Sequence, residues 1–188
     1  TSVLTASSTP PYIGASWANL SAVEFDGNDY ARVEGVPDLG DDFTIEAWVY
    51  HRSIDNRTIV SSIGSYGSWN NSGHWAFMIN NPRKPILYFD STGETYTSAT
   101  STISLNTWTH VAITRASNTV RYFIGGVLDA TTLTVNKTLV NGGGVVVGST
   151  PNNNYSMNWD GYLQDLRVTP NYARYTSTFT VPSAPLKG

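Results

Sequence analysis

The eight residues Phe43-Thr44-Ile45-Glu46-Ala47-Trp48-Val49-Tyr50 constrain the fold more than any other stretch of the chain. Phe43, Ile45, Ala47 and Val49 alternate with Thr44, Glu46, Trp48 and Tyr50, and a period of two sends the two sets to opposite faces of a β-strand. Similar strand-like runs follow the same logic at Ala22–Phe25, Tyr30–Val33, Thr58–Ile63, Trp75–Ile79 and Ile86–Phe89. They continue at Thr107–Arg115, Thr119–Ile124, Val127–Leu133, Val145–Gly148 and Gly161–Val168. Turn residues separate them at short, regular spacing, which is the pattern of a sandwich or barrel. Gly125-Gly126 sits between two of these runs, where paired glycines supply the positive φ angles of a tight hairpin. Helical periodicity is absent from every long stretch, and Pro170–Tyr175 has room for one short helical turn at most. The chain is predicted to be all-β.

At 188 residues the chain has the length of one domain. A chain of that size buries roughly 70% of its unfolded surface on folding, so it needs no covalent staple, and it has no cysteine to form one. Residues 1–20 are rich in Ser, Thr and Pro, and Pro10-Pro11 points to an extended connector or an edge segment. The predicted domain runs from 21 to 188. The start at Thr1-Ser2, without an initiator Met, reads as a processed piece of something longer. Net charge is −3 and only 13% of residues are charged, so no basic stripe is present to meet nucleic-acid phosphates. Apolar runs are too short to insert into a bilayer.

In place of charge the chain carries six Trp, eleven Tyr and six Phe, which serve to fill a core or to stack on a ligand. Trp48 and Trp108 lie inside strands and read as packing residues, Trp75 as core, and His110 as a hydrogen-bonded structural histidine. Two long polar loops, 64–74 and 148–160, are the places where a compact sandwich carries function. They offer the amides of Asn70, Asn71, Asn152, Asn153 and Asn154 beside the rings of Tyr66, Trp69, His74, Tyr155 and Trp159. Sugars present apolar ring faces and a belt of hydroxyls, so rings and amides together form a candidate carbohydrate site. Asn also suits tight turns, and the same residues serve equally as plain turn formers.

Four segments in order resemble the laminin-G/pentraxin group of concanavalin A-like domains. They are Val23–Tyr30 (VEFDGNDY), Phe43–Tyr50 (FTIEAWVY), Trp108–Arg115 (WTHVAITR) followed by Tyr122 and Gly125-Gly126, and Gly161–Val168 (GYLQDLRV). The resemblance implies a two-sheet antiparallel β-sandwich, the concanavalin A-like jelly roll. The run from Asp165 to Pro185 is similar to the end of such domains in bacteriophage tail and adhesion proteins. Related folds carry one structural calcium ion between the opening segment and the closing strand, and the matching positions are Asp26 and Asp165, with a Gly40 or Asp41 carbonyl to complete the shell. On the residues alone, Asp26 equally shapes an Asp-Gly turn and Asp165 equally binds backbone. The acids of a pentraxin-style calcium pair are missing from the two loops.

Catalysis finds no support in the residues. A glycosidase needs two carboxylates about 5–10 Å apart; relatives hold them in an E-x-D-x-E strand, and FTIEAWVY contains Glu46 alone. Gly64-Ser65-Tyr66-Gly67 is not a nucleophile elbow. His51, His74 and His110 lack metalloenzyme spacing. Gly142–Gly144 reads as a strand-connecting turn, and Asn80–Arg83 resembles a galectin sugar motif but lacks its Trp-Gly-x-Glu companion. The expected function is a non-catalytic carbohydrate-binding or adhesion module, extracellular or on a virion, acting within a larger chain or beside other subunits. The alternative is an assembly domain of a virion or surface appendage with no small ligand.

Overall fold

Twelve strands form two antiparallel sheets in the structure, a computed structural model that describes residues 5–7, 22–63, 73–89, 96–151 and 157–186. They are β1 (Thr5–Ser7), β2 (Ala22–Asp26), β3 (Ala31–Glu34), β4 (Phe43–His51), β5 (Arg57–Ser62) and β6 (Trp75–Asn80). The others are β7 (Lys84–Phe89), β8 (Trp108–Ala116), β9 (Thr119–Ile124), β10 (Val127–Thr134), β11 (Gly144–Val147) and β12 (Asp160–Pro170). The seven-stranded sheet has the order β1-β2-β12-β4-β8-β9-β10, and the five-stranded sheet has the order β3-β11-β5-β6-β7. No helix occurs among the described residues; Pro170–Tyr175 leaves β12 without forming the helical turn it has room for. Within the 1–20 segment, Thr5–Ser7 pairs with Ala22–Glu24 as an edge strand.

The alternation of β4 is realised as read. Phe43, Ile45, Ala47 and Val49 are fully buried and meet Val111, Ile113, Val120 and Tyr122 of the same sheet and Ile59, Val60, Phe77, Ile79, Leu87 and Phe89 of the other. Two inner faces interdigitating in this way form a sandwich core, and each large side chain withdrawn from water contributes about 1.5–3 kcal/mol. Trp75 is core as expected, and its indole Nε1 donates to Asn141 Oδ1 at 2.9 Å. Tyr122 spans the layers: its hydroxyl accepts from Leu87 N at 3.3 Å and donates to Thr97 O at 2.9 Å. Burial pushes that phenol up to about 12, which keeps it a neutral donor.

Gly125 and Gly126 turn β9 into β10 with φ of 57° and 78°, both in the left-handed region that a two-residue hairpin turn requires. Gly142 and Gly143 make the turn that enters β11, and Asn81–Arg83 the turn from β6 to β7.

Residues 171–186 carry no strand, yet they cross the outer face of the seven-stranded sheet as a strap. Thr44 Oγ1 donates to Tyr172 O at 3.1 Å and accepts from Arg174 N at 2.8 Å. Thr114 Oγ1 donates to Tyr175 O at 2.7 Å, and Phe179 N donates to Gly126 O at 2.9 Å. Leu186 N then returns to Asp165 Oδ2 at 3.2 Å.

Candidate functional site

The outer face of the seven-stranded sheet is built from the second set of the β4 alternation. Cross-strand register aligns Glu24, Tyr162, Tyr50 and Trp108 into one row over β2, β12, β4 and β8. The row beside it reads Gln164, Trp48 and His110; the next reads Arg167, Glu46, Ala112 and Phe123. The sheet face therefore changes character along its strands, from open aromatic at one end to charged and strapped at the other.

At the strapped end Glu46 and His110 are fully buried. Arg167 Nη2 and Nε donate to Glu46 Oε1 at 2.6 and 2.9 Å, and the Tyr175 hydroxyl donates to Oε2 at 3.0 Å. His110 Nε2 lies 3.2 Å from Oε2, close enough for charge attraction but off hydrogen-bond alignment. Burial pushes the Glu46 carboxyl up, and its contacts with His110 and Arg167 outweigh that, so its pKa is lowered. Above this cluster Tyr175 and Phe179 stack with centroids 3.6 Å apart, and Phe179 meets Phe123 at 5.4 Å and His110 at 5.8 Å. Both oxygens of Glu46 are held, by the Arg167 guanidinium and the Tyr175 phenol, and the strap lies over it. The arrangement is a structural ion cluster. His110 is buried within its strand, but neither ring nitrogen makes the hydrogen bond expected of it.

The other end is different. Tyr50, Trp108 and Tyr162 are half-buried, and their ring centroids form a triangle with sides of 5.5, 5.7 and 6.3 Å. Trp108 and Tyr162 converge over β4, the strand between them. Arg52, just past the end of β4, frames the triangle with its guanidinium 5.3 Å from the Tyr162 centroid. Its Nε donates to Asp160 Oδ1 at 2.8 Å, Nη1 to Glu24 Oε1 at 2.8 Å and Nη2 to Phe25 O at 2.9 Å. Desolvation lowers the Arg52 pKa and the two carboxylate bonds more than restore it, so it is raised overall. Burial and the Glu24 charge likewise push the Tyr162 phenol up.

On the inward side of the patch, Gln164 is only 5% exposed, and neither its Oε1 nor its Nε2 has a hydrogen-bond partner. A buried amide left unmet costs about 1–3 kcal/mol, and both Gln164 polar atoms are closed off from the surface. Aromatic rings, a framing guanidinium and carboxylates, and an unmet amide occupy one face within neighbouring rows.

Trp108 and Trp48 thus depart from the packing role expected of them, since β4 and β8 turn them outward, away from the core. Trp48 is half-buried and meets His110 edge-on at 5.4 Å. Nothing in single-strand periodicity reveals that Tyr50, Trp108 and Tyr162 converge; the alternation of β4 put Tyr50 off the core, and register across the sheet does the rest.

The loop residues Tyr66, Trp69, Asn70, Asn71, Asn152, Asn153, Asn154 and Tyr155 lie outside the described residues. His74 is half-buried, with Nδ1 3.3 Å from Ser62 Oγ. Trp159 is a correction: it is fully buried in the core and stacks on His51 with centroids 4.8 Å apart, so its face is spent on packing.

Asp26 and Asp165 also require correction as joint calcium ligands. Asp26 stands opposite Asp160, and Asp165 is five positions further along β12, about 15 Å at the rise of a strand. Calcium needs its oxygens within about 2.6 Å of the ion, so one ion does not serve both. Gly40 packs against Asn171, beyond the far end of β12. Each aspartate instead takes the backbone role: Asp26 Oδ1 accepts from Asn28 N at 3.0 Å, and Asp165 Oδ2 accepts from Leu186 N. No group of three or more acids or histidines suited to a metal occurs among the described residues.

Two packed antiparallel sheets with an aromatic patch on one outer face define a lectin-like β-sandwich. The chain belongs to the concanavalin A-like lectin/glucanases superfamily, whose laminin-G-type family model matches residues 25–174. No curated protein sequence matches it. Among solved structures it is similar to the CBM40 domain of a Ruminococcus gnavus IT-sialidase bound to α2,3-sialyllactose, with TM-score 0.65 and 13% identity over 82% of this chain and 91% of that one. Domain 4 of an extracellular GH43 arabinanase from Geobacillus stearothermophilus, in complex with arabinotriose, gives TM-score 0.65 and 15% identity over 90% and 76%. A heptameric SAP-like pentraxin from Limulus polyphemus gives TM-score 0.57 and 18% identity over 78% and 74%. At these identities the likeness is one of fold.

Proposed function

We propose that the protein is a non-catalytic carbohydrate-binding module that holds its ligand on the outer face of the seven-stranded sheet. The observation that carries this reading is the Tyr50–Trp108–Tyr162 triangle framed by Arg52. Sugar rings offer C–H faces to aromatic rings and hydroxyls to charged side chains, and the triangle stands beside the partly exposed Arg52, Glu24 and Asp160. The structures bound to sialyllactose and arabinotriose support the reading by analogy of fold. Both Glu46 oxygens are engaged by Arg167 and Tyr175 beneath the strap, which argues against a part for this carboxylate in glycosidic cleavage. The similarity of the C-terminal run to phage tail and adhesion domains extends the proposal to an adhesion role outside the cell or on a virion.

Titration of an oligosaccharide panel, read by Trp fluorescence, tests it. Tyr50→Ala, Trp108→Ala and Tyr162→Ala are each expected to weaken binding about tenfold, equivalent to about 1.4 kcal/mol. Trp69→Ala and Tyr155→Ala report the loops separately: binding lost there and unchanged in all three face variants moves the site to the loops. Failure of every glycan to bind favours the assembly-domain alternative.

A further inference from the structure

We propose that this face selects neutral glycans and discriminates against acidic ones; the inference rests on the glycan-binding reading above. Acidic sugars are held in proteins by a cation whose charge is available to their carboxylate, with the Arg–carboxylate fork as the strongest form. Arg52 is the guanidinium at the aromatic triangle, and its charge is already spoken for. Asp160 and Glu24 each take one of its nitrogens at 2.8 Å, and Phe25 O takes the third. A ligand carboxylate would have to displace one of two carboxylates that the fold itself holds in place.

The surroundings add to this. Register places Asp26 opposite Asp160 on the same face, and Asp26 is exposed. Three carboxylates therefore stand at this rim, Glu24 and Asp160 bound to the guanidinium and Asp26 exposed beside Asp160. The other cations of the face stand at its strapped end: Arg167 is bound to Glu46, Arg174 Nε donates to Thr169 Oγ1, and Arg121 Nη1 donates to Thr119 O. An incoming sialic or uronic acid meets the Glu24, Asp26 and Asp160 carboxylates, whereas a neutral sugar meets rings and the remaining guanidinium N–H donors. The fold is shared with a domain crystallised with sialyllactose, so the two charge classes are separable here by the rim and not by the scaffold.

The test is an array of matched oligosaccharide pairs, each neutral glycan beside its sialylated or uronic counterpart, with affinities then measured for the pairs that respond. The expected result is that the neutral member binds and the acidic member is at least tenfold weaker, with the gap narrowing between 0.05 and 0.5 M salt as on the order of a threefold shorter Debye length screens the rim. Glu24→Gln frees part of the Arg52 charge and is expected to raise the acidic member's affinity at least threefold. If that variant does not melt like the parent, the salt series carries the test alone. Acidic members binding as well as or better than neutral ones overturn this inference and leave the glycan-binding reading standing. No gain in a normally melting Glu24→Gln, or a gap insensitive to salt, overturns it too. An array with no response at all overturns the glycan-binding reading and this inference with it.

Discussion

His51 and Glu46 show how single buried polar groups set the conditions under which this sandwich holds together. His51 is fully buried against Trp159, and neither ring nitrogen has a hydrogen-bond partner. Desolvation, followed by the nearby Arg57 charge, lowers its pKa from 6.5 to about 4. The unfolded chain therefore takes up this proton before the folded one does. Stability from this group is complete above pH 6.5 and is lost as pH falls from 6.5 towards 4, by about 3 kcal/mol in total. Urea melts across that window check it, and His51→Phe, which keeps the ring stack, is expected to flatten the slope. Glu46 works through charge pairing: Glu46→Gln leaves Arg167 without its counter-charge, and a loss of about 3 kcal/mol in urea unfolding is expected. Glu46 falls in the Phe43–Tyr50 alternation, which showed its face, and His51 stands one residue past it, at the end of β4. Their partners Trp159, Arg167 and Tyr175 lie more than a hundred residues away in sequence, where periodicity carries no information.

Among the elements, β12 does most to place the site, and Gly161 lets it do so. Its φ is 137°, and a Cβ there would stand 1.8 Å from Tyr50 O. Gly161→Ala must push β12 off β4 immediately beside Tyr162 and Tyr50. A loss of about 3 kcal/mol, read by thermal melting, is expected together with weakened glycan affinity, a pairing that ordinary destabilisation elsewhere in the sheet does not give. The strap is the second decisive element. Phe179→Ala removes a half-buried ring from Tyr175, Phe123 and His110; a cost of about 1–2 kcal/mol is expected, with the aromatic triangle, and so glycan affinity, unaffected. Strand positions were legible because alternation and turn residues are local signals. The strap was not, because Tyr175 and Phe179 sit in a run without period, held by hydroxyls of Thr44 and Thr114 that look like ordinary strand residues. The triangle was half legible: Tyr50 was placed off the core, but bringing Trp108 and Tyr162 to it depends on register, including the irregularity between Gln164 and Arg167.

Across the whole molecule, the core lies between the two sheets, and strand register sets Asp26 and Asp165 too far apart to share one ion. Melting curves with and without a chelator are expected to coincide; a fall in the melting temperature on chelation would show an ion held by some other group. The jelly-roll architecture was legible from strand patterning and from four ordered motifs. The division of one sheet face into a strapped half and an aromatic half was not, since it emerges only when twelve strands and the tail are assembled together.

The sheet order β2-β12-β4 has a consequence for how the chain is made. β12 is inserted between two strands that precede it by more than a hundred residues, so a ribosome must make residues 160–170 before the larger sheet can close. Until then β2 and β4 each present an unsatisfied edge, the kind of surface on which nascent chains recruit one another. Pairing across so much sequence also places folding in the slow range of about milliseconds to seconds. A chain ending at residue 159 is expected in the insoluble fraction, and adding a peptide spanning residues 160–186 during refolding is expected to restore solubility by supplying the missing strand in trans.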